Sequence, residues 1–222
     1  MDSRCLHISE WFYSIQGESS WSGYPCAFIR LAGCNLRCRY CDSAYTWEQG
    51  REATYESILE WLAHYPGVLV EITGGEPLLQ EALYPFLDLL LADGRTVLIE
   101  TNGSLSIAKI PAQVVVILDI KCPDSSMGDR TDWNNVDLLK ARRNGSSRDE
   151  IKFVISSEKD FFWAKNVIEK YRLADIATLL FSPVEYLIAP TSLAELIMAH
   201  RMPAKLQLQL HRLLWPEVDR GV

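Results

Sequence analysis

The chain has 222 residues, 48% of them hydrophobic, and a formal net charge of −7. That length and apolar content allow one domain with a substantial buried core, so a single domain over residues 1–222 is predicted. The acidic balance and the lack of a long Lys/Arg run argue against nucleic acid as a partner. With no N-terminal signal segment and no apolar run of about 18 residues, the sequence predicts a cytoplasmic protein with no membrane partner.

Apolar, β-branched segments alternate with helix-like segments along the chain. Strands are predicted over 27–31, 68–73, 97–100, 114–119, 151–155, 178–182 and 206–210. Helices are predicted over 55–64, 79–92, 136–142, 159–171 and 192–200. This order predicts an α/β fold with right-handed crossovers and a mostly parallel sheet, closed or partly closed into a (β/α) barrel. The strict alternation of 206–210 predicts a half-buried strand at an edge or closing position.

The six cysteines show no disulfide framework. Three of them, Cys34, Cys38 and Cys41, lie within eight positions. The scattered ones are Cys5, Cys26 and Cys122. This distribution favours a reducing compartment and a metal or catalytic role for the clustered thiols.

The spacing of Cys34, Cys38 and Cys41 supplies one thiolate fewer than a closed four-ligand metal site requires. An iron–sulfur cluster held by three thiolates keeps one iron open to an exchangeable ligand, which suits catalysis. The alternative is a zinc site that recruits a distant histidine such as His64 or His211. That alternative would make the chain a zinc-binding interaction module.

The C-x3-C-x2-C spacing, with the aromatic Tyr40 just before Cys41, resembles the signature of the radical S-adenosylmethionine (radical SAM) superfamily. The resemblance implies a partial (β/α) barrel of the radical SAM type. It also implies a [4Fe-4S] cluster whose free iron chelates SAM, with one electron from the cluster splitting a carbon–sulfur bond to give a 5′-deoxyadenosyl radical. The cofactors carry the chemistry and the protein positions them.

Polar motifs follow three predicted strands. Two glycines, Gly74 and Gly75, precede Glu76, an Asn-Gly pair lies within 100–103, and Asp119 precedes Lys121 by two positions. Taken alone, the first two motifs are also typical of turns and the third of a surface ion pair. All three resemble elements of the superfamily. The resemblance implies that SAM is contacted by Tyr40, Cys41, Asp42, Gly75, Glu76, Asp119, Ile120 and Lys121.

Two N-terminal segments, 12–18 and 23–33, are similar to a branch of the superfamily that acts on a carboxylated pterin. That branch contracts the ring of 6-carboxy-5,6,7,8-tetrahydropterin, with release of ammonia, to a carboxylated 7-deazaguanine used for queuosine and related deazapurines. The implied pterin contacts are Ile15, Gln16, Gly17, Arg30 and Thr73. Glu18 is a further candidate for contact with the pterin ring, and the alternative is that it caps a turn. A guanidinium matches a carboxylate through two parallel hydrogen bonds, so Arg30 is the expected anchor, and the alternative is a strand-end arginine facing water.

The same branch uses a hydroxyl residue after Cys-Asp, often Thr, as a Mg²⁺ ligand. Here that position is Ser43, which keeps the oxygen donor that Mg²⁺ prefers. The resemblance also implies an electron donor such as flavodoxin or ferredoxin and, by analogy, a homodimer. A glycyl-radical-enzyme activating enzyme shares the cysteine spacing and is the rival enzyme hypothesis.

Overall fold

Nine β-strands are formed by the residues that the computed structural model describes, 4–48, 50–142, 148–218 and 220–222. They are β1 (Cys5–Ile15), β2 (Pro25–Leu31), β3 (Arg51–Thr54), β4 (Leu69–Gly74), β5 (Val97–Thr101), β6 (Val115–Asp119), β7 (Glu150–Ile155), β8 (Thr178–Pro183) and β9 (Ala204–Leu206). One sheet contains them in the order β3-β1-β2-β4-β5-β6-β7-β8-β9. Strands β2 and β4 to β9 run parallel, whereas β1 is antiparallel to β2 and β3. The open, mostly parallel sheet confirms the predicted α/β class and partial barrel.

The helices of the described ranges connect these strands or follow the last of them. They are α1 (Tyr55–Leu62), α2 (Leu83–Ala92), α3 (Asn134–Arg142), α4 (Glu158–Tyr171), α5 (Pro190–Ala199) and α6 (Leu210–Leu214). Side-chain caps begin two of them: the Thr54 hydroxyl accepts from the Ser57 amide, and the Ser157 hydroxyl accepts from the Asp160 amide. Each cap satisfies a helix-start amide that has no partner within the helix. No helix in the described ranges is long and apolar enough to cross a membrane.

The two faces of the sheet bury different side chains. Residues such as Ile29, Ile72 and Ile99 face the helices in the main core and are fully buried. On the inner face, a second group, the inner apolar cluster, consists of Cys26, Phe28, Leu69, Leu98, Val115 and Ile117. Because side chains alternate along a strand, the next inward-facing positions of β2, β4, β5 and β6 lie above this cluster, towards the carboxyl ends of the strands.

The predicted strand at 206–210 is wrong in extent. Strand β9 ends at Leu206 and α6 begins at Leu210. The polar positions of the alternating Leu-Gln pattern are Gln207 and Gln209, and they lie outside β9. Their side-chain amides both donate to the Glu18 carboxylate at 2.8 Å. The predicted edge position is confirmed, because β9 is the last strand of the sheet.

Other differences from the predicted elements lie near the N-terminal half. Strands β1 and β3 are additional to the predicted ones. Helix α2 begins at Leu83 instead of 79, because Pro77–Leu79 forms a separate 3-10 turn. Strand β1 also contains a register shift between Ile8 and Glu10, which interrupts its alternation.

Candidate active site

A polar layer lies above the inner apolar cluster at the carboxyl ends of the parallel strands. Its inward-facing members are Arg30, Glu71, Thr73, Glu100, Asp119 and Lys152. Paired positions of neighbouring strands face the same side, as Arg30 and Thr73 do, and as Asp119 and Lys152 do. The loops that follow β2, β4, β5 and β6 converge on this layer, which is where barrel enzymes place their reactive groups.

The loop after β2 carries the three motif cysteines as free thiols. The amide of Gly33 donates to the Thr46 carbonyl at 2.8 Å and fixes the start of this loop. Cys34 and Cys38 each lie within electrostatic range of Cys41, and burial raises the pKa of both. Three soft sulfur donors therefore stand together in one anchored loop, which fits an iron–sulfur cluster with one open iron.

The alternative zinc site is not formed. His64 lies exposed next to α1, with Nδ1 3.1 Å from the Trp61 carbonyl oxygen, and His211 lies against Gly17. A structural zinc needs four ligands at about 2.0–2.3 Å from one point. The zinc-binding module is therefore not supported.

The glycine pair after β4 packs directly against the cysteine loop. A Cβ added at Gly75 would lie 2.2 Å from the Gly33 carbonyl oxygen and 2.8 Å from the Cβ of Cys34. Any larger residue would push the two loops apart. The lack of a side chain at Gly75 is thus what brings the β4 exit to the cysteines.

Glu76 follows the glycine pair and is fully buried. Its carboxylate accepts from the Leu78 amide (3.0 Å), the Thr101 hydroxyl (2.8 Å) and the Asn102 amide (2.7 Å). Burial raises its pKa to about 7, although these hydrogen bonds act in the opposite direction. Glu76 therefore fixes the exits of β4 and β5 relative to each other.

The exit of β6 holds an ion pair and an unpartnered acceptor. Asp119 Oδ2 accepts from Lys121 Nζ at 2.7 Å, while its buried Oδ1 has no hydrogen-bond partner in the described part of the chain. The Ile120 side chain packs into the main core, so only its backbone borders the site. The Tyr40 hydroxyl donates to the Val154 carbonyl at 3.3 Å. Because an unpaired buried acceptor is costly, Asp119 Oδ1 marks a position where a ligand donor fits.

Strand β1 ends at Ile15, and the turn that follows places Gln16 inside the barrel mouth. Only 2% of the surface of Gln16 is exposed. Gln16 Nε2 donates to Glu71 Oε2, and Gln16 Oε1 accepts from the Glu18 amide at 2.9 Å. A Cβ added at Gly17 would lie 2.3 Å from Nδ1 of His211. The turn is therefore held by Glu71 of the sheet on one side and by His211 of α6 on the other.

Lys152 lies at the centre of a buried charge network. Its Nζ donates to Glu18 Oε2 at 2.5 Å and to Glu100 Oε1 at 2.8 Å. Burial raises the pKa of Glu18, but Lys152 and hydrogen bonds outweigh it and hold that pKa at about 2. Burial lowers the pKa of Lys152, but Glu100, Glu18 and Asp119 raise it well above its usual value. Burial, with Glu100 and Glu18, raises the pKa of Glu71 well above its usual value.

Arg30 stands at the end of β2 with its side chain 20% exposed, so it does not face bulk water. Its Nε donates to Glu10 Oε1 at 2.9 Å. Thr73 is its register partner on β4. The Ser43 hydroxyl lies 3.9 Å from the Cys41 sulfur. The exposed Asp42 beside it accepts from Gln209 Nε2 at 3.2 Å. The predicted substrate and cofactor residues thus border the same barrel end.

Several residues at this end of the barrel were not predicted as site residues from the sequence: Glu10, Glu71, Glu100, Lys152, Gln207 and Gln209. Three of them, Glu71, Glu100 and Lys152, are single charges within apolar parallel strands. Such strands are buried on both faces, so an isolated charge in one of them is a usable signal of a polar barrel interior. The other three carry no such signal, because chain segments far apart in sequence bring them to the site.

Comparisons with known proteins agree with this architecture. A family model for the radical SAM superfamily matches residues 28–156. The fold and the cysteine site define an enzyme of this class, and the chain belongs to the radical SAM superfamily.

Two relatives are similar over nearly their full length. The 7-carboxy-7-deazaguanine synthase of Chlorobaculum tepidum is 42% identical over 98% of this chain and 97% of its own. That of Koribacter versatilis is 40% identical over 98% of this chain and 100% of its own. Within the superfamily, the chain therefore belongs to the 7-carboxy-7-deazaguanine synthase family.

Solved structures share the fold. The crystal structure of QueE from Escherichia coli has a TM-score of 0.76 at 24% identity and covers 93% of this chain and 95% of its own. Streptococcus suis SuiB bound to S-adenosylmethionine has a TM-score of 0.57 at 17% identity, over 79% of this chain and 47% of its own.

Proposed function

We propose that this protein converts 6-carboxy-5,6,7,8-tetrahydropterin to 7-carboxy-7-deazaguanine, with ring contraction and release of ammonia, in queuosine and deazapurine biosynthesis. The observation that carries the proposal is that the cysteine loop and the Arg30 guanidinium border one polar barrel end. The full-length similarity to 7-carboxy-7-deazaguanine synthases supports the choice of reaction.

The superfamily works with a [4Fe-4S] cluster and SAM, which together supply a 5′-deoxyadenosyl radical. Cys34, Cys38 and Cys41 would hold the cluster through their sulfur atoms. SAM would lie against the Gly75 backbone and Asp119, where Oδ1 is an acceptor in need of a donor. The remaining residues proposed to border SAM are Tyr40, Asp42, Glu76, Ile120 and Lys121.

The pterin would lie between Arg30 and the turn after β1. The substrate carboxylate would take the two terminal nitrogens of Arg30, because Nε is already bound to Glu10. Glu18 is ionised at neutral pH, since its pKa is held at about 2, and it would accept from N–H groups of the pterin ring. Gln16, Gly17 and the remaining proposed contacts, Ile15 and Thr73, would complete the ring's surroundings.

Replacing Arg30 with lysine is expected to raise the KM for the pterin by about one to two decades, while SAM binding changes little. A point charge does not reproduce a two-bond contact with a carboxylate, and a charge-assisted hydrogen bond is worth roughly 1.5–3 kcal/mol. Steady-state kinetics with varied pterin at saturating SAM measure this. An unchanged KM would remove Arg30 from the substrate site.

We propose Mg²⁺ as a further cofactor, with the Ser43 hydroxyl as its protein ligand. A hydroxyl oxygen suits a hard cation, and Mg²⁺ usually keeps several waters and needs few protein oxygens. The position of Ser43, two residues after Cys41, would place such an ion beside the pterin and the cluster. The ion would orient and polarise the substrate.

Replacing Ser43 with alanine is expected to weaken the dependence of turnover on added Mg²⁺ and to lower kcat, with the iron content unchanged. Ser43→Thr keeps the hydroxyl and serves as the matched control, so it should behave like the wild type. Activity is titrated against Mg²⁺ for all three proteins. Superimposable curves for wild type and Ser43→Ala would place any Mg²⁺ elsewhere.

The partners proposed for this reaction are the small-molecule pterin and a one-electron donor such as flavodoxin or ferredoxin. We propose further that the chain works in the cytoplasm, as a single radical SAM domain and as a homodimer. Gel filtration with light scattering measures the oligomeric state directly.

The decisive experiment is anaerobic incubation of the reconstituted protein with SAM, a reductant and 6-carboxy-5,6,7,8-tetrahydropterin, followed by mass analysis. We expect 7-carboxy-7-deazaguanine and ammonia, with SAM regenerated. The rival glycyl-radical-enzyme activating enzyme would consume SAM without converting the pterin. Absence of the deazapurine from a sample with a full cluster would overturn the proposed function.

A further inference from the structure

Glu10 of β1 holds two groups of the candidate site with one carboxylate oxygen. Its Oε1 accepts from Arg30 Nε at 2.9 Å and from the Tyr45 hydroxyl at 2.7 Å. The Glu10 side chain is 19% exposed, so it is shielded from most of the solvent. Tyr45 stands just after the cysteine loop, and Glu10 therefore links Arg30 to the segment that carries Ser43.

Glu10 reaches the inner face only because β1 is irregular. Ile8 pairs with Leu31, but Glu10 pairs with Arg30, so Ser9 is an extra residue in β1. In a regular strand Glu10 would face the same side as Ile8, which is fully buried in the main core. A carboxylate in that apolar layer would be strongly unfavourable. The bulge turns the carboxylate to the polar layer instead, as bulges beside active sites do.

A guanidinium can bind carboxylates along two edges. Glu10 occupies Arg30 through Nε and leaves the two terminal nitrogens for another carboxylate. The Phe12 ring, 5.8 Å from Arg30 Cζ, restrains the side chain from a second direction. We propose that Glu10 is a positioning residue that orients the Arg30 guanidinium for the substrate carboxylate, an inference that rests on the proposed function.

The negative charge of Glu10 cannot itself help to bind an anionic substrate, so any benefit must come from ordering the Arg30 side chain. A second carboxylate beside an anion site lowers the local positive potential, so by charge alone Glu10 would weaken the binding of an anionic substrate. What Glu10 contributes is a fixed side chain, because an arginine ordered in advance loses less conformational entropy when the ligand binds. When Glu10 is removed, the charge effect predicts tighter binding of the carboxylated substrate, and the ordering effect predicts weaker binding.

The test compares wild type with Glu10→Ala, Glu10→Gln and Tyr45→Phe. The dissociation constant is measured by anaerobic equilibrium dialysis for 6-carboxy-5,6,7,8-tetrahydropterin and for tetrahydropterin without the carboxylate. Glu10→Ala should weaken binding of the carboxylated ligand about tenfold or more and leave that of the other ligand within about twofold. Glu10→Gln still offers an oxygen to both donors, so it should stay within about threefold of wild type. Tyr45→Phe should fall between the two.

Glu52→Ala on the exposed face of β3 is the matched control and should change neither constant. Equal weakening of both ligands by Glu10→Ala would show a merely structural defect and overturn the inference, as would tighter binding of the carboxylated ligand. If Glu10→Ala does not fold, Tyr45→Phe decides the question by the ratio of its two constants. If the wild type converts the pterin and Glu10→Ala binds the carboxylated pterin as tightly as the wild type does, the positioning role is overturned and the proposed function stands. A wild type with a full cluster that neither binds nor converts the carboxylated pterin overturns the proposed function itself.

Discussion

Replacing Cys38 with alanine is expected to abolish the brown iron–sulfur chromophore and the reductive cleavage of SAM. Cys34 and Cys41 should behave in the same way, because the loop supplies three thiols and a cluster with one open iron needs all three. Iron and sulfide are measured after anaerobic reconstitution, with about four of each per chain expected in the wild type. Formation of 5′-deoxyadenosine is measured in parallel and should fall below detection.

Two buried cysteines provide matched controls. Cys26 belongs to the inner apolar cluster and Cys122 to the main core, and both are fully buried. Alanine at either position removes one sulfur from an apolar environment, so a modest loss of stability and a complete cluster are expected. Loss of iron in Cys26→Ala together with retention in Cys38→Ala would show that the ligand assignment is wrong.

Replacing Lys152 with methionine is expected to lower the free energy of unfolding by about 3–5 kcal/mol at neutral pH. The change keeps most of the side-chain volume but removes the cation that lies between Glu18 and Glu100. The Glu18 and Glu100 carboxylates would then remain at the barrel mouth without their cation. Removing only one sign of charge from a buried ion pair is strongly destabilising, because the remaining charge is uncompensated. Urea unfolding of the apoprotein under reducing conditions measures the loss.

The pH dependence of this variant has a defined sign. In the wild type the pKa of Glu18 is held at about 2, below its ordinary 4.5, so its stabilisation is present above about pH 4.5 and is lost as the pH falls towards 2. Without Lys152, burial raises the pKa of Glu18 and Glu100. The deficit of Lys152→Met should therefore shrink as the pH is lowered through those raised values. Unfolding at about pH 7.5 and about pH 5.5 tests this sign.

Lys159→Met is the control for the loss of a lysine. Lys159 pairs with Asp124 at 2.9 Å, but its side chain is 70% exposed. Exposed ion pairs contribute little to stability because water and salt screen them, so a much smaller loss than that of Lys152→Met is expected. Equal losses in the two variants would mean that the network around Lys152 has no special importance for stability.

Local patterns in the sequence were enough to predict much of this protein. The spacing of Cys34, Cys38 and Cys41, the Gly75-Glu76 pair and the acid at Asp119 all lie at strand exits, where the α/β order places functional groups. Parallel strands with continuous apolar runs were also predicted correctly, because burial on both faces makes their composition distinctive. These features depend on neighbours in the chain, so a linear reading detects them.

Contacts between distant segments decided the rest. Gln207 and Gln209 looked like alternate positions of a strand, yet they bind Glu18, which lies 189 and 191 residues earlier in the chain. Glu10 meets Arg30 only because Ser9 forms a bulge against β2, and the same bulge breaks the alternation that would have predicted β1. Such contacts depend on the register between strands and on the pairing of buried charges. Both are established only when the sheet has assembled, so the sequence alone does not reveal them.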